Sequence, residues 1–313
     1  MFKPHYVVFS CLLFVILYFA TSSCTIDKTD YEDELTTEIP EYIDYEEAVK
    51  LSIGNYNISI QALNGTLYTG YNDIRLTVTN SSTNQEVSDV DVTLLPIKTN
   101  AINETSSGPH QYHLNYNNEN GYYSGYVVFP NKSDVANHWQ FYIGITDVYE
   151  TLTASQDINV AEQSNKNLNM TTFLGHDNDM YYIALVAPQS PKIAENKLVA
   201  GIYKYNPPAN TSTTFPDPEQ FSYSEVENYT LKLDPRMPEP SMGNHSSPNN
   251  KDLIQEEDKL YHGVVNYTMT GNWTLNFILI NQNGKIVKGT EVPTDFTPGI
   301  EGAKSELFID ILF

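Results

Sequence analysis

The chain is poor in cysteine, in basic residues and in charge overall, and each shortage removes a class of protein. With 2 cysteines in 313 residues, it can build neither a disulfide framework nor a thiolate zinc cluster, so its core must rest on apolar burial. Against 39 Asp+Glu stand 17 Lys+Arg, a formal net charge of -22. Nucleic-acid binding uses Lys and Arg to displace counterions from phosphates, so no nucleic-acid partner is expected. Charged residues make up only 18% while aromatic residues reach 12%, which excludes a disordered acidic chain. No G-x-S-x-G, H-E-x-x-H, P-loop or G-x-G-x-x-G motif occurs. Nor does the sequence pair two carboxylates in an obvious cleft, so no catalytic residues are assigned and no enzyme is expected.

What is present begins with a targeting layout. Residues 1–23 carry Lys3, an apolar run from Tyr6 to Ala20, and the small polar residues Thr21, Ser22 and Ser23 before Cys24, the order of a secretory signal. The apolar run is short for a bilayer span and lacks a basic stop-transfer flank. The residues before Cys24 resemble a bacterial lipobox, with Thr21 where that motif prefers Leu, a departure tolerated in Bacteroidota-type lipoproteins. The resemblance implies a lipid on Cys24 and anchoring to the membrane through acyl chains. Behind it, residues 24–50 are rich in Asp and Glu and offset only by Lys28 and Lys50, which predicts a self-repelling, solvated tether. Acidic residues at this place resemble the surface-export signal of such lipoproteins. The expected location is the outer membrane, on its periplasmic or its cell-surface face.

From residue 51 the sequence consists of short runs of Val, Ile, Leu, Thr, Tyr and Phe separated by Asn, Gly, Pro and Ser. Alternation in Val90, Val92 and Leu94, and in Tyr229, Leu231 and Leu233, is that of half-buried antiparallel strands, and no long segment of helical period competes with it. The expected class is all-β, with two tandem immunoglobulin-like β-sandwiches. Two copies are legible because landmarks recur in order. Ile58 and Ile74 match Ile183 and Val199. The run ending at Pro96 matches the run ending at Pro235, and the blocks around Gly125 and Gly263 match in turn. Each copy then reaches a tryptophan, Trp139 or Trp273, the only 2 in the chain. The predicted sandwiches cover about residues 51–176 and 177–313, with residues 151–180 carrying a closing strand and the junction, and with both tryptophans as core anchors between sheets.

Each copy has a long loop between its Pro-ended strand and its Gly block, and loops of that length in compact domains are often functional. The second loop reads DPRMPEPSMGNHSSPNN. It presents Met237, Met242 and His245 on a backbone bent by Pro238, Pro240 and Gly243. Thioether sulfur is soft and neutral and favours Cu(I), and imidazole serves copper and zinc alike. His262 and Met269 could approach from the following strands to complete a shell. A structural reading stands beside this one, with Met242 plugging the sandwich end and His245 capping a turn. The first loop holds His110 and His113 without methionine, an incomplete pair that would need Asp, Glu or water to finish a second metal site.

The segments PRMPEPSMGNHSSPNN and YHGVVNYTMTGNW, with their first-copy partners YYSGYVVFPN and HW, resemble the YtkA-like domain family, small immunoglobulin-like sandwiches of exported bacterial proteins. In that family a Met-Pro and Met-Gly-His loop precedes a strand with Gly, then Met-x-Gly-x-Trp. Met237, Met242, His245, Met269, Gly271 and Trp273 fall on the pattern, and Asn244 is inserted between Gly243 and His245. The first copy lacks the methionines. The resemblance implies copper handling, with Cu(I) as the cofactor and a copper-handling or outer-membrane protein as partner. A site of thioethers and imidazole releases few protons on binding, so its affinity should depend weakly on pH above about 7. The alternative expectation is a surface recognition module for glycan or protein, or an accessory subunit of an outer-membrane complex. Its motive is the 23 tyrosines, since exposed rings stack on sugars or fill hot spots.

Overall fold

Strands form wherever β-branched and aromatic residues alternate, and glycine and asparagine take the left-handed turns between them. A computed structural model describes residues 44–210 and 215–313. The predicted signal, Cys24 and most of the predicted tether lie outside those residues. The first half holds β1 (Tyr45–Ile53), β2 (Tyr56–Leu63), β3 (Leu67–Tyr68), β4 (Gly70–Asn80), β5 (Asp91–Asn100), β6 (Thr105–Ser106), β7 (Asn115–Asn117), β8 (Tyr122–Phe129), β9 (Asn137–Thr146), β10 (Thr151–Ile158) and β11 (Val160–Ala161). The second holds β12 (Met170–Leu174), β13 (Met180–Ala187), β14 (Glu195–Asn206), β15 (Ser222–Glu225), β16 (Thr230–Met237), β17 (His245–Ser246), β18 (Lys251–Gln255), β19 (Tyr261–Asn266), β20 (Asn272–Ile280), β21 (Ile286–Lys288) and β22 (Leu307–Leu312).

The protein is all-β. In the first half, the sheet β1-β2-β4-β8-β7 packs over the sheet β10-β9-β5-β6, and their facing side chains form one core around Trp139, Phe129 and Phe141. The second half repeats the order as β12-β13-β14-β19-β18 and as β22-β20-β16-β17. Its two layers are joined because β18 pairs with both β19 and β16. Register preserves the landmarks of the repeat. Pro96 lies opposite Phe141, two residues past Trp139, and Pro235 lies opposite Leu275, two residues past Trp273. Both tryptophans are fully buried, as expected of anchors between sheets.

The paired glycines have a shared reason. A Cβ on Gly125 would stand 2.5 Å from Leu114 Cδ2, and one on Gly263 would stand 2.7 Å from the Lys251 carbonyl and 2.8 Å from Leu253 Cγ. In each copy a segment crosses from one sheet to the other and seats a buried leucine against the glycine. In the first copy that crossing segment contains His110, bridged to Val127, and His113, bridged to Thr93.

Three boundaries differ from the sequence reading. Strand β1 starts at Tyr45, so the acidic tether does not run to residue 50: Val49 and Ile53 are buried and draw this stretch onto the sheet. Met170–Leu174 pairs with β13 and belongs to the second sandwich rather than the first, so the junction falls between Ala161 and Met170, inside the 151–180 stretch expected to carry it. Ile74 and Leu198 are the residues opposite the two glycines, so Leu198, not Val199, is the equivalent position; the connection into β14 is one residue shorter than that into β4.

The two sandwiches pack against each other through tyrosines. Tyr126 stacks on Tyr203 at 5.1 Å and on Tyr71 at 5.8 Å between ring centroids, and Val128, Ala184 and Tyr203 are buried among them. A second contact seats Phe221 against Leu95 and Ile97 on the outer face of β5. Tyr223 donates its hydroxyl across the seam to the Ser107 carbonyl at 2.8 Å. These tyrosines join the sandwiches instead of forming an open strip on a sheet face.

Candidate metal centre

Strand β16 delivers Met237 to one end of the second sandwich, and the chain then turns back so that His245 lies opposite it in register. Residues opposite each other on one face have Cβ atoms about 5 Å apart. The turn closes through Met242 N–H to the Glu239 carbonyl and His245 N–H to the Met242 carbonyl, at 2.9 and 3.2 Å. Gly243 and Asn244 hold φ of 63° and 53°, the left-handed region that glycine and asparagine tolerate best. Asn244, the residue inserted relative to the YtkA-like pattern, is buried and donates from Nδ2 to the Pro293 carbonyl at 3.1 Å. The connection between β21 and β22 is thereby pinned across the loop, with Gly302 N–H on the Pro238 carbonyl at 2.6 Å and the Phe296 ring over Gly243.

Met237 is only 2% exposed and belongs to the second core. Its Cε lies 2.8 Å from where a Cβ on Gly271 would be, so that glycine makes room for the thioether. Met242 packs half-buried on the same core. His245 is exposed; its Nε2 lies 2.8 Å from the Thr268 hydroxyl and its ring is tilted against Trp273 at 6.1 Å. Met269 follows Thr268, is 36% exposed, and accepts the Trp273 indole N–H on its carbonyl at 3.1 Å. Four of the five expected ligands, Met237, Met242, His245 and Met269, are thus carried by the elements that surround Trp273.

His262 is not among them. It lies level with Ile254, which is itself level with Thr230. Met237 is seven residues further along β16, roughly 23 Å at strand rise. The His262 ring is buried, with Nε2 2.9 Å from both carboxylate oxygens of Asp258 and Nδ1 without a hydrogen-bond partner. Burial opposes ionisation of Asp258, yet hydrogen bonds from His262 and from the Leu260 N–H hold its carboxyl below the usual range. This histidine ties down the β18–β19 turn.

The first-copy histidines each have a partner of their own. His110 is buried and sits with Nδ1 2.8 Å from the Gly108 carbonyl; burial pushes its pKa down to about 4. His113 is exposed and holds Asp91 at 3.1 Å. No group of three or more His, Cys, Asp or Glu side chains is placed to hold a metal ion among the described residues. The expected ligands of the second loop are of another kind, three thioethers and one imidazole, a set that would suit a soft monovalent cation and not a hard one. Sequence reasoning missed Thr268, which occupies the His245 Nε2; no spacing signal marks it. No family model matches the chain, and no curated protein is significantly similar to it.

Proposed function

We propose that the protein is a lipid-anchored envelope protein that binds Cu(I) at the loop end of its second sandwich, for copper handling or transfer. The observation that carries this reading is the register that sets Met237 opposite His245 at the end of β16, with Met242 packed on the same core and Met269 next to the Thr268 that holds His245. Thioethers have no proton to lose and prefer Cu(I) over harder ions. The Met237 and Met242 side chains would supply the inner donors, and His245 and Met269, at the surface, the exchangeable ones. A bound ion at His245 Nε2 would displace the Thr268 hydroxyl. In this reading each sandwich is immunoglobulin-like, Cys24 carries the lipid, and the outer membrane is the site of action.

The test is a Cu(I) titration of the chain against a chromophoric chelator, with Met242→Ala, Met269→Ala and His245→Ala compared with the wild type. Met237 needs Met237→Leu, which removes sulfur while nearly keeping volume, because truncation of so buried a side chain costs about 2–5 kcal/mol of stability. One equivalent bound by the wild type, and weakened by each sulfur-removing change, is expected. Equal affinity in all five proteins would overturn the assignment.

A further inference from the structure

The seam between the sandwiches is open along one side. Two adjoining hollows, of about 490 and 690 Å³, share His110, Tyr112 and Tyr223 in their walls. One continues to Pro207, Pro208 and Phe221, and the other to Tyr126, Glu225 and Tyr229. The walls therefore come from both sandwiches, and from residues that take no part in the Met/His loop. This groove rests on observations independent of the copper reading.

Its chemistry is selective. Half-buried tyrosine rings and three prolines line it, with Val226 beside them, and ring walls suit flat molecules with alternating apolar faces and polar edges better than acyl chains. Its one lysine, Lys204, is paired with Asp179 at 3.1 Å, and Glu227 is paired with Lys259 at 3.1 Å, while Glu225 and Glu219 also border the two hollows. In a chain of net charge -22 this disfavours phosphate, sulfate and carboxylate ligands. The most confined polar group is the His110 imidazole, 7% exposed. Its Nδ1–H donates to the Gly108 carbonyl, which fixes the tautomer and leaves Nε2 as an acceptor. No hydrogen-bond partner for Nε2 occurs among the described residues, and it is not one of the fully enclosed polar atoms. Tyr223 is held in place by its bond to Ser107 and stands edge-on to His110 at 6.0 Å between ring centroids, so the wall is preformed.

We propose that this groove is a binding site for an uncharged oligosaccharide, with sugar faces resting on Tyr112 and Tyr223 and one hydroxyl donating to His110 Nε2. An oligosaccharide offers what the walls require: C–H faces for the rings, hydroxyls for the acceptors, and no charge to be repelled. Two adjoining hollows of this volume have room for more than one sugar unit.

The experiment uses the full-length chain in detergent micelles with a metal chelator present. Binding is measured to neutral linear hexasaccharides of glucose, galactose, mannose and xylose, and to sulfated counterparts. At least one neutral sugar should bind, with its sulfated form weaker by about tenfold or more, and Tyr112→Ala should lower the affinity by about the same factor. His110→Phe, which keeps an aromatic volume without the acceptor, should do likewise while circular dichroism stays that of the wild type. The proposal fails if no neutral sugar binds, if both folded variants bind as the wild type does, or if an extended-peptide library displaces the sugars completely and binds the groove on its own.

Discussion

Acid should destabilise this protein through His110 before most carboxylates titrate. Burial lowers the folded-state pKa of this imidazole from 6.5 to about 4, so the folded chain keeps the ring neutral while the unfolded chain protonates it. Between those two values the unfolded state binds more protons, and stability therefore rises with pH there. The contribution is fully present above the unfolded pKa and is lost as pH falls from about 6.5 toward 4. At about 1.4 kcal/mol per pKa unit the whole span is about 3 kcal/mol, of which about 2 kcal/mol has gone by pH 5. Carboxylates held low in the fold, such as Asp258, add their own loss in more acid solution, so the His110 share must be isolated by difference. Urea unfolding of the wild type and of His110→Asn, whose amide can still donate to the Gly108 carbonyl, should be followed at pH 8, 6 and 5. The wild type is expected to lose about 2 kcal/mol more than the variant between the first and last of these. Parallel stability curves would show that the buried imidazole is not the group resisting protonation, and the reasoning would be refuted.

Two other substitutions probe the framework. Gly263→Ala places a methyl group against the Lys251 carbonyl and the buried Leu253, and should cost about 1–3 kcal/mol by overpacking; an unchanged urea midpoint would remove close approach as the reason for that glycine. Gly125→Ala meets only the tip of Leu114, so it should cost less, and Leu114→Val should relieve part of it. Asp258→Ala removes the hydrogen-bond partner of the buried His262 imidazole and leaves only the Glu256 carboxylate at 3.9 Å, and should destabilise the chain by about 1–3 kcal/mol. Its Cu(I) affinity, read with the same chelator, should equal that of the wild type; a weakened site would return His262 to the ligand set.

The repeat was legible because its landmarks are forced by geometry. A tryptophan between two sheets, a glycine under a crossing leucine, and a proline inside the strand that pairs just past the tryptophan each occupy one structural role, and register keeps them together in both copies. The expected ligands come together only where loop and register agree. Met237 and His245 are adjacent because the chain doubles back within a few residues, whereas His262 precedes a landmark glycine yet lies at the start of β19, beside the β18–β19 turn and away from the loop end. Proximity in sequence to a landmark says nothing about which end of a strand a side chain reaches.

The tyrosines carry the further lesson. A count of 23 suggests exposed rings, and alternation along a strand of a lone sandwich would send every second one to solvent. A tandem repeat changes that, because the outer face of one copy becomes the inner face of a seam. The sequence does record this in a different signal. Leu198 through Tyr203 in β14, and Val127 through Phe129 in β8, are buried without a break, and unbroken apolar runs mark strands covered on both faces. Tyr126 and Tyr203 sit in or beside those runs, and their stacking closes the seam. Rings outside the runs, Tyr112 and Tyr223 among them, are the ones left partly open along its edge. Where two copies of a sandwich meet, the breaks in alternation mark the tyrosines that pack inside the seam, while a ring at its edge such as Tyr223 both bridges the copies and lines the groove.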